Sequence, residues 1–91
     1  MSSQRVQEVL VYFAWNVRRL RLERGMTQEA LSEAINIELR TLQRVEAAST
    51  NPSLTMLINL ADVLKVEPGA LLDPTERPVI KRGRPKKMRT P

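Results

Sequence analysis

The most constraining feature of this chain is a stretch of twenty residues, 27–46, in which two short helical patterns are joined by a tight turn. Thr27 is a favourable N-cap for the first helix, because its hydroxyl can accept a hydrogen bond from a backbone N–H of the first turn. Asn36 marks the turn, since asparagine is one of the few residues besides glycine that tolerates a positive φ. The apolar spacing predicts that the first helix buries Ala30, Leu31, Ala34 and Ile35, and that the second, over residues 39–47, buries Leu42 and Val45.

Helical patterns also precede and follow this stretch. A helix is predicted over residues 7–24 and is ended by Gly25, which readily adopts a left-handed conformation. Ser53 is placed to cap a fourth helix, and Glu67 followed by Pro68 predicts the start of a short fifth helix through Leu72. The apolar residues expected to face the core are Val9, Leu10, Phe13, Val17 and Leu20 in the first helix and Leu54, Leu57, Ile58, Ala61 and Leu64 in the fourth. No stretch alternates at the period of a strand, so the predicted fold class is all-α.

The basic residues are concentrated at the C-terminus. Of the formal net charge of +5, residues 76–91 contribute +6 and residues 1–75 contribute −1. From Pro74 onward there are four prolines and few apolar residues, which predicts a disordered tail that cannot bury enough surface to order itself. The predicted organisation is an N-terminal flank of residues 1–8, a folded domain of residues 9–73 and a flexible basic tail of residues 74–91. Charge asymmetry of this kind indicates a polyanionic partner.

The composition argues against several classes of function. The chain contains no cysteine and no histidine, which excludes disulfide scaffolds, zinc-finger ligand sets, thiol nucleophiles and the usual general base. Its acids are scattered along helix surfaces, and it has no glycine-rich loop that could hold a phosphate. The apolar run near the N-terminus is too short and too interrupted to span a bilayer. We therefore expect no enzyme activity, no metal, no cofactor, no membrane contact and a cytoplasmic location.

Several spaced segments of residues 13–72 agree with the pattern of one family. The segments are LRLERGMTQEAL, LQRVEAASTNPSLTMLINLADVLKV and the closing ALL. The residues that carry the agreement are Arg21, Gly25, Thr27, Gln28, Leu31, Glu46, Asn51, Pro52, Ser53 and Leu57. Together they resemble the lambda-repressor/Cro-like (Xre) family of five-helix DNA-binding domains. The resemblance implies a helix-turn-helix whose second helix, the recognition helix of residues 39–47, enters the major groove of double-stranded DNA.

The resemblance also implies roles for particular residues. Positions that reach base edges are matched by Glu38, Arg40, Gln43 and Arg44, and positions that contact the DNA backbone are matched by Thr27, Gln28, Thr41 and Asn51. Gln28 resembles a family glutamine that also supports the recognition helix. Arg21 and Glu46 resemble a partly buried ion pair between the first and third helices, which makes them structural. The alternative for the polar residues of the recognition helix is an ordinary solvated face of a helical bundle.

Three residues depart from the family pattern. Ser32 stands where alanine is usual and Asn36 where glycine is usual, and both are physically compatible with a close helix crossing and a tight turn. Glu38 stands at the cap of the recognition helix, where the family prefers serine or threonine. We expect its carboxylate to cap the helix and to be repelled by phosphate. It then either accepts a hydrogen bond from a cytosine amino group or limits the affinity for DNA.

The tail contains a second candidate for DNA contact. Its basic segment consists of Lys81, Arg82, Gly83, Arg84, Pro85, Lys86 and Lys87 and resembles an AT-hook, whose core is Arg-Gly-Arg-Pro. A narrow A·T minor groove has an enhanced negative potential that attracts arginine side chains. Gly83 would let the backbone lie at the groove floor, and Pro85 favours an extended Arg84. The alternative is a generic basic tail that binds any polyanion.

Three functions remain open at this point. The first is a sequence-specific transcriptional regulator that is nucleoid-associated and binds as a homodimer. Tyr12, Trp15, Leu71 and Leu72 exceed the number of hydrophobic residues that a core of this size needs, which would leave some for a dimer surface. The alternative for these four, and for Trp15 in particular, is packing in the core. The second is the antitoxin of a toxin–antitoxin pair, which would bind its own operator and also a protein partner. The third is an architectural or silencing protein of AT-rich DNA, in which the tail dominates binding.

Overall fold

The computed structural model describes residues 3–78, which fold into four α-helices followed by one short 3₁₀ helix. The α-helices are α1 (Gln4–Glu23), α2 (Gln28–Ala34), α3 (Leu39–Glu46) and α4 (Leu54–Leu64), and the 3₁₀ helix covers Pro68–Leu72. No strand occurs between residues 3 and 78, so the all-α prediction is confirmed for that range. The predicted minor-groove segment, Lys81 to Lys87, lies outside the described residues.

Hydroxyl side chains cap three of the four α-helices. The bonds run from the Val6 N–H to Ser3 at 3.1 Å, from the Ala30 N–H to Thr27 at 2.9 Å and from the Met56 N–H to Ser53 at 3.0 Å. The caps predicted at Thr27 and Ser53 are therefore confirmed. The cap at Ser3 was not predicted, and because of it α1 begins at Gln4 rather than near Gln7.

The predicted fifth helix is a 3₁₀ helix rather than an α-helix. Its Ala70 N–H donates to the Glu67 carbonyl at 2.9 Å, and the Asp73 N–H donates to the Ala70 carbonyl at 3.4 Å. Both bonds connect residues three apart, which is the 3₁₀ pattern. Pro68 opens the helix as expected, but Asp73 already has an extended backbone. Five residues leave little room for the hydrogen bonds between residues four apart that define an α-helix.

All four α-helices end in the same way. Each is followed by one residue with a left-handed backbone: Gly25 (φ 67°), Asn36 (φ 59°), Ala48 (φ 57°) and Lys65 (φ 61°). The next N–H in the chain then reaches the carbonyl five residues back, in the pairs Met26–Arg21, Ile37–Ser32, Ser49–Arg44 and Val66–Ala61 at 2.9–3.0 Å. These bonds satisfy carbonyls that the helix end would otherwise leave without a partner. The left-handed conformations predicted for Gly25 and Asn36 are confirmed.

The core is aliphatic apart from one phenylalanine. Its buried members are Phe13, Val17, Leu20, Leu31, Ile35, Leu42, Val45, Leu60, Ala61, Leu64 and Leu71. They come from every helix, because α1 packs against α3, α4 and the 3₁₀ helix while α2 packs against α3. Leu71, which the sequence left open between the core and a dimer surface, is completely buried, whereas Tyr12 and Trp15 are half-buried.

The predicted buried face of α2 is partly wrong. Leu31 and Ile35 are buried, but Ala30 and Ala34 are exposed. Ser32 is buried instead, at 2% exposure, and its hydroxyl donates to the Glu29 carbonyl at 2.8 Å. Because α2 packs mainly against α3, only a narrow strip of its surface is covered.

The predicted buried face of α4 is also displaced. Ala61 and Leu64 are buried as expected, but Leu54 is 70% exposed and Ile58 is 40% exposed. Leu60, which was not predicted, is completely buried. The helical period identifies which residues share a face, but the neighbouring helices decide which face is covered. The first two turns of α4 therefore present Leu54 and Ile58 to solvent.

A buried asparagine attaches the end of the domain to α1. The Asn16 side-chain N–H groups donate to the Leu71 carbonyl at 3.0 Å and to the Asp73 carbonyl at 2.9 Å. Its Oδ1 accepts a hydrogen bond from Arg19 at 3.0 Å. Asn16 is 1% exposed, so each of these polar groups needs the partner that it has. The bonds fix the position of the chain where it leaves the 3₁₀ helix.

A buried ion pair joins α1 to α3. Arg21 donates from Nε to Glu46 Oε2 at 2.7 Å and from Nη2 to Glu46 Oε1 at 2.9 Å. A third bond runs from Arg21 Nη1 to the Met26 carbonyl at 2.9 Å. The two side chains are only 9% and 3% exposed. A paired arrangement of this kind is stable because both charges are neutralised and hydrogen-bonded, whereas either charge alone would be costly to bury.

Core burial in α4 is tested by two leucines of the same helix. We expect Leu60→Ala to lower the free energy of unfolding by about 2–5 kcal/mol, because it leaves a cavity in the core. Leu54→Ala should change the free energy of unfolding of the monomer by less than about 0.5 kcal/mol, because Leu54 of a single chain is mostly in solvent. Urea unfolding followed by circular dichroism measures both values. Equal losses for the two variants would contradict the observed register of α4.

The buried ion pair is tested against an exposed one. Glu46→Ala should lower the free energy of unfolding by about 3–5 kcal/mol, since it leaves the Arg21 charge buried without a partner. Glu23→Ala is the matched control: it removes an i,i+4 pair with Arg19 whose side chains are 39% and 55% exposed, and should cost about 0.5 kcal/mol or less. Glu46→Gln should fall between the two. Thermal unfolding of the three variants gives the comparison, and a Glu46→Ala effect as small as the control's would refute the argument.

Candidate nucleic-acid interface

One face of α3 is polar and open to solvent. Arg40, Gln43 and Arg44 are all exposed, and their spacing places them on one side of the helix. Leu42 and Val45 are on the opposite side and are completely or nearly buried. The structure therefore brings together three of the four predicted base-contacting residues as a single surface. Thr41, predicted to contact the DNA backbone, is half-buried at the edge of that surface.

Glu38 is at the N-cap of α3 but does not cap it through its side chain. Its backbone has the extended geometry of a cap residue, with φ −70° and ψ 147°, and its carbonyl accepts from the Thr41 N–H at 3.0 Å. Its carboxylate makes no capping hydrogen bond, so the predicted cap is wrong at the side-chain level. Serine, threonine, aspartate and asparagine are the preferred N-caps, and glutamate carries an extra methylene compared with aspartate. The exposed carboxylate remains available at the end of α3.

Gln28 connects the start of α2 to the end of α3. Its Nε2 donates to Glu46 Oε1 at 3.0 Å, and that oxygen also accepts from Arg21. One carboxylate thus holds α1, α2 and α3 together. Thr27 lies beside Gln28 and uses its hydroxyl oxygen to accept the capping bond, which leaves its hydroxyl hydrogen free to donate.

Asn51 lies in the loop between α3 and α4 and is exposed. Together with Ala48 and Ser49 it borders a shallow pocket against Gln7 and Leu10 of α1. The loop that carries Asn51 therefore rests on α1. The predicted backbone-contacting residues accordingly come from the start of α2, from α3 and from the loop that follows α3.

Arg18 and Arg77 are charged residues that sequence reasoning did not select. Both line a pocket beside the end of α3, together with Trp15. Arg18 is on α1 and Arg77 follows the 3₁₀ helix, so they are far apart in the sequence. No local pattern could have indicated that they line the same pocket.

An apolar groove lies next to the α3–α4 loop, and Asn51 is one of its lining residues. It has a volume of about 360 Å³ and lies between the first half of α1, the start of α4 and the end of the 3₁₀ helix. Among its lining residues, Val6, Leu54 and Leu72 are 39%, 70% and 37% exposed. We refer to this surface, with Val6, Leu54 and Leu72 at its edges, as the apolar groove.

Two further properties hold for residues 3–78. None of the helices in this range is both long enough and apolar enough to cross a membrane. The same residues contain no group of three or more acidic, cysteine or histidine side chains arranged to hold a metal ion.

Comparison with known proteins places this geometry in a family. The HTH_3 helix-turn-helix family model matches residues 17–71, which is more than half of the chain. Among curated protein sequences, none matches.

Several solved structures are similar. The restriction-modification controller protein C.AhdI from Aeromonas hydrophila is 34% identical, with a TM-score of 0.65 over 68% of this chain and 94% of that one. The hypothetical transcription factor NHTF from Neisseria is 28% identical, with a TM-score of 0.71 over 75% of this chain and 78% of that one.

A point mutant of the restriction-modification controller protein C.Esp1396I is 27% identical, with a TM-score of 0.64 over 78% of this chain and 85% of that one.

The family match agrees with the geometry. Both indicate a helix-turn-helix made of α2, the turn and α3, and the outer face of α3 is polar and exposed. The chain belongs to the HTH_3 family of helix-turn-helix proteins, which makes it a DNA-binding protein of the transcription-regulator class.

Proposed function

We propose that this protein is a sequence-specific regulator of transcription that places α3 in the major groove of double-stranded DNA. The observation that carries the proposal is the exposed face of Arg40, Gln43 and Arg44 on a helix whose other face is buried. Glu46, on that inner face, is bonded to both α1 and α2. A recognition helix must be held rigidly so that its outer side chains meet the bases in one register.

The side chains of this face match base edges chemically. An arginine can donate two hydrogen bonds to guanine O6 and N7, and a glutamine can pair with adenine N6 and N7. Glu38 can accept from a cytosine N4 amino group, and its carboxylate is not occupied by a capping bond. We assign base reading to Glu38, Arg40, Gln43 and Arg44 on these grounds.

Contacts to the DNA backbone are assigned to Thr27, Gln28, Thr41 and Asn51. Gln28 uses one amide N–H for Glu46 and has a second that can donate to a phosphate oxygen. Thr27 keeps its hydroxyl hydrogen for the same purpose. Contacts of this kind fix the orientation of a protein on the duplex without reading its sequence.

The basic tail is proposed to enter an adjacent AT-rich minor groove. Support comes from its Arg-Gly-Arg-Pro core and from the +6 charge of residues 76–91, which follow a nearly neutral domain. The division into a flank of residues 1–8, a domain of residues 9–73 and a tail of residues 74–91 is likewise a proposal, in which residues 4–8 of the flank belong to the same helix, α1, as the start of the domain.

We also propose that the protein binds DNA as a homodimer through the apolar groove. Leu54 is 70% exposed at the start of α4 and borders this groove, and exposed apolar surface of this kind indicates an interaction site. A second copy would bury it, and two recognition helices related by two-fold symmetry would then meet an inverted repeat.

The DNA-reading proposal is tested by selecting the bound sequence from a random pool at fixed salt. Arg40→Ala should then weaken binding to the selected site by about 1–3 kcal/mol and relax the preference at one base pair. Replacing Arg82 and Arg84 together by alanine should weaken binding with less effect on the choice of site. The reverse order, with the tail variant nearly abolishing binding and Arg40→Ala having little effect, would favour an architectural protein of AT-rich DNA.

The dimer is tested with a charge in the apolar groove. Leu54→Glu should shift the protein from dimer to monomer in sedimentation velocity, because the dimer would have to bury a carboxylate. Leu22→Glu is the control, since Leu22 is a helical leucine that is 38% exposed and does not line the groove. A wild-type protein that stays monomeric at micromolar concentration, or a Leu54→Glu variant that stays dimeric, would contradict the proposal.

A further inference from the structure

The pocket that Arg18 and Arg77 line lies beside the end of the recognition helix. It has a volume of about 280 Å³, and one wall is a face of α1 formed by Val11, Ala14, Trp15 and Arg18. The opposite wall is formed by Glu46, Ala47 and Ala48, and Arg77 completes the pocket. We call this the Arg18–Arg77 pocket.

The pocket has more positive charge than its own acid can neutralise. Glu46 is its single acidic lining residue among those described, and both of its oxygens already accept hydrogen bonds from Arg21. One of them also accepts from Gln28. Neither Arg18 nor Arg77 forms an ion pair with any residue between 3 and 78. Two arginines that line one pocket without a free carboxylate produce a positive potential suited to an anion.

Arg18, which lines this pocket, also carries an unsatisfied donor. Its Nε is buried and has no hydrogen-bond partner among the described residues, where it is the one side-chain polar atom in that condition. Leaving a buried donor unpaired costs free energy, so we expect this N–H to bind an acceptor on a bound molecule. A phosphate oxygen is a suitable acceptor, because the planar guanidinium group binds phosphate through parallel N–H bonds.

The position of Arg77 depends on the bonds of Asn16. Arg77 lies beyond the 3₁₀ helix, four residues after Asp73, whose carbonyl is held by Asn16. Arg77 lines the same pocket as Trp15 and Arg18 of α1. The buried attachment thus fixes the chain four residues before Arg77, which itself lies outside the helices.

We propose that the Arg18–Arg77 pocket binds one backbone phosphate of the DNA duplex held by α3. The proposal rests on the proposed function and adds a contact from α1 and from residue 77. The pocket is bordered by Ala47 and Ala48, which lie between α3 and Asn51, itself assigned to the DNA backbone. Val11, Ala14 and Trp15 give the pocket one apolar wall, and a wall of low dielectric concentrates the field of the two guanidinium groups on a bound phosphate.

The salt dependence of DNA binding tests this site. Arg18→Gln and Arg77→Gln should each weaken binding about tenfold, as expected for the loss of one charge-assisted hydrogen bond. The loss should be the same for the selected site and for its single-base variants, because a phosphate contact carries no sequence information. Each variant should also reduce the slope of log K against log salt by up to about 0.9, the contribution of one neutralised phosphate.

Lys65→Gln is the matched control. It removes one positive charge from an exposed residue at the end of α4 that does not line the pocket. Its slope should remain close to that of the wild type. Arg77 lies outside the helices, so Arg77→Gln tests the site even if Arg18→Gln disturbs folding.

Trp15 provides an independent readout. It is the single tryptophan of the chain and lines the pocket, so its fluorescence reports on that place alone. Emission should change when saturating duplex DNA is added to the wild type and to Lys65→Gln, and should change much less in Arg18→Gln and Arg77→Gln.

Two outcomes separate this proposal from the proposed function. If the wild type selects a DNA sequence but both arginine variants keep its slope, its affinity and its Trp15 response, the pocket does not bind phosphate and the proposed function stands. If the wild type selects no sequence at all, the proposed function is wrong and the phosphate site falls with it.

Discussion

The carboxylate of Glu46 is the interaction on which the rest of the arrangement depends. It accepts two hydrogen bonds from Arg21 on α1 and one from Gln28 on α2, while its own backbone belongs to α3. Three helices are therefore held by one buried charge. α2 and α3 have only seven and eight residues, and helices of that length are marginal without tertiary contacts. The outer face of α3 can be exposed and polar because its inner face is attached in this way.

Asn16 has a comparable role at the other end of the domain. Its side chain is almost completely buried and donates two hydrogen bonds to backbone carbonyls, those of Leu71 and Asp73. Apolar packing alone would hold the 3₁₀ helix less specifically, because it is not directional. The bonds determine where the chain leaves the core, and so they place Arg77 beside α1 and the end of α3. A buried polar residue thus links the fold to the charge distribution near the recognition helix.

Sequence prediction succeeded where the type of a residue decides its backbone conformation. It failed where contacts with distant segments decide the conformation or the burial. Gly25 and Asn36 could be recognised because these residue types tolerate a positive φ. Ala48 and Lys65 adopt the same conformation without that signal, since hydrogen bonds at the helix ends require it. The same distinction explains α4, where the period grouped apolar residues but could not show that Leu54 would be exposed.

The sequence by itself determined the four helices, the turns at Gly25 and Asn36, the family and the residues of the polar face of α3, because caps, periodicity and spaced motifs are local properties. The tertiary structure alone decided which faces are covered, that the Glu38 side chain does not cap α3, and that Arg18 and Arg77 line one pocket. Those features arise from contacts between segments distant in the chain. Their energies depend on burial and on the partners available, which no single segment of sequence contains.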